Sequence, residues 1–217
     1  MKFLLTSAGF MNQSISQALV DLAGKPASEI KFIFVPTAAN IEEGDKEWLI
    51  NDYKQIAAQG FKSVDIIDIA AVSKEIWLPR LEAADVICFG GGNQQFLVKV
   101  MNESGFANEA PRLLKDRVYM GISAGSMALC QPISPELLNV VYHDDTFSDD
   151  LSQPLKLANL IFLPHLNSEY FPQVRKEIIE SLPNHFAYPI YALDDHSAIA
   201  ITDDAISVIS EGTWIKA

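Results

Sequence analysis

The sequence is poor in basic residues and in long apolar runs, and each shortage excludes a class of partner. Only 16 Lys and Arg stand against 28 Asp and Glu, which gives a formal net charge of −12. A surface this negative repels nucleic-acid phosphates and anionic lipid headgroups, so we expect neither nucleic acid nor a membrane as a partner. The opening MKFLLTSAGFMNQ has one Lys and a three-residue apolar run, too short for a signal-peptide core or a membrane span. We therefore expect a cytoplasmic protein.

Cysteine is also scarce. The two cysteines, Cys88 and Cys130, are too few for a disulfide framework, and Cys88 lies inside an apolar run. We expect both to be reduced and structural. The chain does have enough apolar side chains for a folded core, since 49% of its 217 residues are hydrophobic. That length favours one domain over residues 1–217.

Short apolar runs alternate with helical patterns over the first 130 residues. Five runs are typical of buried strands: KFLLTSAG, KFIFVPTAAN, VDIIDIA, DVICFGGG and RVYMGIS. Apolar side chains at helical spacing follow each of them, as at Ile15, Ala18, Leu19 and Leu22. Strands that are apolar on both faces and separated by helices predict an α/β fold with a doubly wound, mainly parallel sheet. Such a fold places its chemistry at the carboxyl ends of the strands.

The last third of the chain departs from this rhythm. Residues 131–159 hold three prolines and an acidic cluster, and we expect a long excursion there that covers a site. The run LIFLPHLN then predicts a strand, and a helix through Arg175 follows it. Three closely spaced strands come last and predict an antiparallel C-terminal edge: PIYALDD, SAIAITDD and AISVIS.

The segment MGISAGSMAL is the most informative one for chemistry. It contains the pattern GxSxG as Gly121, Ser123 and Gly125, at the point where a strand gives way to a helix. A sharp strand-to-helix turn lifts the serine hydroxyl out of the fold, and the flanking glycines let backbone and substrate approach closely. The pattern therefore favours Ser123 as a nucleophile, with a structural turn as the alternative.

A glycine run, Gly90 to Gly92 followed by Asn93, also lies between a buried strand and a helix. It lacks the spacing of a dinucleotide-binding loop and the ending of a phosphate loop, which argues against NAD and ATP. Its backbone N–H groups can instead face a developing oxyanion, together with the N–H of Ala124, the residue after the nucleophile. A tight turn that needs glycine for its geometry is the alternative. We expect no cofactor and no metal.

A serine nucleophile needs a base and an orienting acid. His165 ends a predicted strand on the edge that carries Ser123, so it is the favoured base over the other candidates, His143, His185 and His196. Asp195 also ends a predicted strand and is the favoured acid. Asp144 and Asp145 are its rivals, because they would give the chain order Ser, Asp, His found in α/β-hydrolases.

With these residues in hand, the sequence resembles peptidase family S51, the serine peptidases that include peptidase E (aspartyl dipeptidase) and cyanophycinase. The resemblance rests on PTAA at 36–39, FGGGNQQ at 89–95, GISAGS at 121–126, LPH at 163–165 and ALDD at 192–195. It implies a flavodoxin-like fold related to class I glutamine amidotransferases, with Ser123 as the nucleophile and His165 as the base. Gly91 and Ala124 match the oxyanion-hole amides. Two positions depart from the family: Asp195 stands where peptidase E has glutamate, and His196 replaces a small residue.

The resemblance also implies a substrate. Peptidase E takes dipeptides with an N-terminal aspartate, whose carboxylate calls for a guanidinium, and Arg175 resembles the arginine of the corresponding helix. A surface arginine is the alternative. Asn93 is the second expected substrate contact. We thus predict a serine peptidase that hydrolyses small peptides through a Ser-His-Asp acyl-enzyme mechanism. The alternatives are an esterase or other acyl hydrolase that uses the same serine, and a non-catalytic binding protein of this fold. For the assembly, the sequence is compatible with a homodimer.

Overall fold

The computed structural model describes residues 1–134, 137, 140–142, 153–181 and 186–217. Its strands are β1 (Lys2–Thr6), β2 (Lys31–Val35), β3 (Ser63–Ile66), β4 (Val86–Phe89), β5 (Val118–Ile122), β6 (Ile161–Leu163), β7 (Ile190–Leu193), β8 (Ser197–Thr202), β9 (Ala205–Ser210) and β10 (Trp214–Lys216). The helices that lie wholly in these ranges are α1 (Gln13–Ala23), α2 (Glu47–Ala58), α3 (Lys74–Ala83), α4 (Gln94–Glu103), α5 (Phe106–Leu113), α6 (Ala124–Leu129) and α7 (Lys176–Glu180). Two short 3₁₀ turns cover Ala27–Glu29 and Thr37–Ala39.

The main sheet has seven strands in the order β3-β2-β4-β5-β1-β8-β9. The first five are parallel, β8 runs antiparallel to β1, and β9 runs antiparallel to β8. Residues of α1 and α2, such as Leu19 and Ile56, pack on one face, and residues of α3 to α6, such as Trp77 and Leu97, pack on the other. The predicted α/β architecture, a doubly wound, mainly parallel sheet with an antiparallel C-terminal edge, is therefore confirmed.

Strand β7 differs from its expected place at that edge. It lies in a second sheet of three strands, parallel to β6 and antiparallel to β10. Close spacing along the chain predicts short connections but does not determine which strands pair. This second sheet matters for the site, because His165 follows β6 and Asp195 follows β7.

Helix α7 is shorter than the sequence pattern suggests. The expected helix through Arg175 covers only residues 176–180, and Arg175 precedes its first turn with extended backbone. Pro172 limits how far a helix can extend toward the N-terminus, because proline disfavours helical backbone at the residue before it. The described residues contain no helix long and apolar enough to cross a bilayer.

Candidate active site

Ser123 lies in a strained turn between β5 and α6. Its backbone angles, φ 49° and ψ −110°, are rare for a residue with a side chain. The two flanking glycines are sterically required. A Cβ at Gly121 would come within 2.5 Å of the Ser126 backbone, and one at Gly125 would overlap the carbonyl oxygen of Phe89. The GxSxG pattern thus reflects a turn that admits no side chain two residues before or two residues after Ser123.

Hydrogen bonds to buried groups hold this turn. The Ser123 N–H donates to the carbonyl of Thr6 at 3.0 Å, and the Ser126 hydroxyl donates to the same oxygen at 2.8 Å. The Tyr119 hydroxyl donates to the Gly125 carbonyl at 2.6 Å. An unusual backbone conformation costs on the order of 1–3 kcal/mol. These bonds fix the turn against that strain, and so they hold Ser123 at the carboxyl edge of the sheet.

Ser123, His165 and Asp195 form a hydrogen-bonded chain. The Ser123 Oγ lies 2.9 Å from His165 Nε2, and His165 Nδ1 lies 2.7 Å from Asp195 Oδ1. The imidazole stacks on the Phe171 ring, with the ring centroids 4.5 Å apart and the planes 7° from parallel. The structure therefore brings together the three residues that the sequence pattern selects, although two of them come from the second sheet.

The charge of Asp195 determines the direction of the hydrogen bonds in this chain. Burial raises the pKa of Asp195, but hydrogen bonds from His165 and Ser7 and the charge of the imidazole outweigh it, and the net pKa is lowered. An ionised carboxylate only accepts hydrogen bonds, so His165 Nδ1 must be the donor to it. In the neutral imidazole, Nε2 is then an acceptor for the Ser123 hydroxyl proton, as a general base requires.

Ser7 is a fully buried member of this site that the sequence analysis missed. Its hydroxyl donates to Asp195 Oδ1 at 2.8 Å and accepts a bond from the backbone N–H of His165 at 2.7 Å. His165 has a left-handed φ of 63°, and the bond to Ser7 helps to fix this conformation. Ser7 directly follows β1, the neighbour of β5 in the sheet, and that position was a usable signal.

The two predicted oxyanion amides belong to residues beside the nucleophile. Ala124 is the first residue of α6, and a Cβ at Gly91 would lie 3.5 Å from the Ser123 Cβ. Among the described residues, neither the Gly91 N–H nor the Ala124 N–H donates a hydrogen bond. Both donors are therefore available to a bound group next to Ser123.

The two predicted substrate contacts have structural partners of their own. The Asn93 side-chain oxygen accepts from the Phe96 N–H at 3.0 Å and caps α4. Arg175 Nη1 donates to the carbonyls of Phe171 and Val174 at 3.0 and 3.1 Å. The guanidinium therefore lies on the segment whose Phe171 ring packs against His165.

The rival residues divide into two groups. His143, His185, Asp144 and Asp145 lie outside the described residues. His196 is next to Asp195, and its backbone N–H donates to Asp194 at 3.1 Å. Within the described ranges, no three His, Cys, Asp or Glu side chains cluster as a metal site would require. Cys88 and Cys130 are free and buried, which agrees with the structural role predicted for them.

Comparison with known proteins identifies the family. The profile of peptidase family S51 matches residues 3–209. An uncharacterised peptidase of Pasteurella multocida (strain Pm70) is 24% identical over 208 residues, which cover 94% of this chain and 95% of that protein.

Two crystal structures share the fold. A Listeria monocytogenes EGD-e protein provisionally named peptidase E has a TM-score of 0.77 at 22% identity, covering 97% of this chain and 98% of that one. A peptidase from an acI-B1 Actinobacterium has a TM-score of 0.70 at 18% identity, covering 98% and 88%. Because the profile spans nearly the whole sequence, the chain belongs to peptidase family S51.

Proposed function

We propose that this protein is a serine peptidase that hydrolyses small peptides through an acyl-enzyme. The observation that carries the proposal is the hydrogen-bonded chain from Ser123 through His165 to Asp195, with distances of 2.9 and 2.7 Å. Family membership supports peptide-bond hydrolysis, and the chain of side chains supplies a nucleophile, a base and an acid in the geometry that this chemistry needs.

The proposed reaction begins when Ser123 Oγ attacks the peptide carbonyl while His165 Nε2 takes its proton. Asp195 stabilises the imidazolium that forms, because its carboxylate accepts a hydrogen bond from the Nδ1–H group. The N–H groups of Gly91 and Ala124 hold the negative oxygen of the tetrahedral intermediate. His165 then gives its proton to the leaving amine, and a water molecule, deprotonated by the same imidazole, hydrolyses the ester on Ser123.

The proposed substrates are dipeptides with an N-terminal aspartate. The protein carries a net charge of −12, so an acidic substrate needs a local cation to offset the overall repulsion. Arg175 supplies one, and its bonds to the carbonyls of Phe171 and Val174 hold it on the segment that packs against His165. Guanidinium donors suit a carboxylate, which they bind with charge-assisted hydrogen bonds.

The test compares wild-type protein with Ser123→Ala on a panel of Asp-X dipeptides and simple aryl esters. Ser28→Ala is the matched control, because Ser28 is exposed and far from this turn in sequence. We expect Ser123→Ala to abolish dipeptide turnover and Ser28→Ala to retain it. Equal turnover by wild type and Ser123→Ala would refute the proposal. Aryl esters cleaved much faster than any dipeptide would favour an esterase, and no labelling of Ser123 by a fluorophosphonate would favour a binding protein.

A further inference from the structure

Helix α2 places three side chains along the carboxyl edge of the main sheet. Trp48, Asp52 and Gln55 are spaced i, i+4 and i+7, so they lie on one face of the helix. Trp48 lies 3.8 Å from the position that a Cβ of Gly91 would take, just past the end of β4. Asp52 Oδ1 and Gln55 Oε1 lie 3.8 and 3.1 Å from the corresponding point on Gly9, past the end of β1.

This face of α2 therefore spans the strand end that carries the nucleophile. Strand β5 lies between β4 and β1, and Ser123 follows it directly. The seven steps from Trp48 to Gln55 rise about 10 Å along the helix axis, which matches about two spacings between neighbouring strands. The side chain of Ile122, the last residue of β5, reaches to 3.2 Å from the same point on Gly9. Asp52 is thus one helical turn away from Trp48, whose ring lies beside Gly91.

Asp52 and Gln55 are acceptors without donors. Asp52 is 7% exposed, and no described residue donates a hydrogen bond to its carboxylate. Gln55 Oε1 is buried and unpartnered, although the amide nitrogen of the same side chain donates to Met11 Sδ. Both acceptors lie near Gly9 and lack a donor, so a group that donates hydrogen bonds would satisfy them, and a carboxylate favours a cationic group.

The cations nearest to Asp52 along the chain are occupied elsewhere. Lys46 Nζ donates to the carbonyl of Ala39 at 2.7 Å, and Lys54 Nζ donates to Asn51 Oδ1 at 3.3 Å. No described Lys or Arg forms an ion pair with Asp52. The described part of the protein therefore offers no positive charge to this carboxylate.

We propose that Asp52 and Gln55 bind the amino-terminal ammonium group of the peptide substrate and so make the enzyme act on free N-termini. This inference rests on the proposed peptidase function and names the feature of the peptide that this wall of the site recognises. The small-molecule cation that fits is a primary ammonium, whose three donors can satisfy both acceptors at once. Burial raises the pKa of Asp52 to about 7, and a bound ammonium would favour the ionised form again.

The experiment measures binding in the Ser123→Ala background, in which the substrate stays intact. Calorimetry compares the dipeptide Asp-Leu with N-acetyl-Asp-Leu, each titrated into Ser123→Ala and into Ser123→Ala with Asp52→Asn. We expect the free peptide to bind about 100-fold more tightly than the acetylated one, and Asp52→Asn to remove most of that preference. Gln55→Leu should lower the preference less, and Asp116→Asn, at an exposed position, should leave it unchanged.

Three results would overturn the proposal: equal binding of the two peptides, an Asp52→Asn protein that keeps the preference, or an equal loss of both affinities. Circular dichroism of each variant shows whether it is folded before it is titrated. A failure of the peptidase function itself is recognised separately, because wild type and Ser123→Ala would then turn over the free dipeptide equally.

Discussion

Relative to wild type, replacing Asp52 by asparagine should raise the free energy of unfolding more at alkaline pH than at acid pH. Burial in α2 raises the pKa of this carboxyl from an ordinary 3.8 to about 7. Between these two values the unfolded chain has lost the proton and the folded protein still holds it. The folded state therefore binds more protons in this window, and stability falls as pH rises through it. The contribution of the protonated Asp52 carboxyl to stability is fully present below pH 3.8 and is lost as the pH rises through about 7.

The size of the effect follows from the gap between the two pKa values. Each tenfold difference between two ionisation constants is worth about 1.4 kcal/mol, so the loss between pH 4 and pH 8 is about 4 kcal/mol at most. That is a large part of a typical stability of about 5–15 kcal/mol. Asparagine has the same shape and cannot ionise, so Asp52→Asn removes this pH-dependent loss. Any cost of burying the amide is the same at every pH.

Urea unfolding of wild type and Asp52→Asn at pH 4, 6 and 8 measures the difference directly. The free energy of unfolding of the variant minus that of wild type should rise with pH, mostly between pH 4 and 7. Asp116→Asn is the control, because Asp116 is exposed and its replacement should give the same small difference at each pH. A difference for Asp52→Asn that is flat with pH would refute the reasoning, since it would mean that the carboxyl is not shifted by burial.

Further predictions concern the site itself. Ser7→Ala leaves the His165 N–H without a partner and removes one of the two hydrogen bonds that described residues donate to the Asp195 carboxylate, so we expect the free energy of unfolding to fall by about 1–3 kcal/mol. Steady-state kinetics should show that kcat falls while KM stays. Asp195→Ala should lower kcat by about 10⁴, and a near-normal rate would contradict the triad. A Cβ at Gly91 would make only an ordinary contact with Ser123, so Gly91→Ala should keep the melting temperature of wild type. The value of kcat/KM should fall, because the added methyl group lies beside the nucleophile. Gly125→Ala forces a Cβ into the Phe89 carbonyl and should lower the melting temperature instead.

Much of the fold could be predicted from local patterns. The alternation of apolar runs with helical stripes predicts the parallel strands and the helices between them, and Ile15, Leu19 and Leu22 are buried on α1 as expected. The second sheet could not be predicted in this way, because the pairing of β6 with β7 and β10 depends on contacts between distant segments. Close spacing along the chain predicts short connections between strands, but it does not determine which strands pair.

The residues of the site also differ in whether a local sequence pattern could predict them. Ser123, His165 and Asp195 each follow a predicted strand, and ends of strands are where this class of fold places its chemistry. Ser7 also follows a predicted strand, but its role depends on a hydrogen bond to His165, which is 158 residues away in the sequence. Asp52 carried a local signal that was missed. It lies three residues after Leu49 and four before Ile56, so an acid occupies a position on the stripe that faces the core.

Arg175 and Asp52, in the two proposals, give opposite charges to two different segments of the substrate site. Arg175 lies on the segment that packs against His165, and Asp52 lies on α2, which borders Gly91 and Gly9. A dipeptide with N-terminal aspartate carries a carboxylate and an ammonium on the same residue, so a site that binds each of them with a group of opposite charge would fix its orientation. The buried acid weakens the folded state at neutral pH, as binding groups held ready for a ligand often do. If both proposals hold, Arg175→Gln should weaken binding of Asp-Leu but not of Ala-Leu, whereas Asp52→Asn should weaken both, because only the ammonium is common to the two peptides.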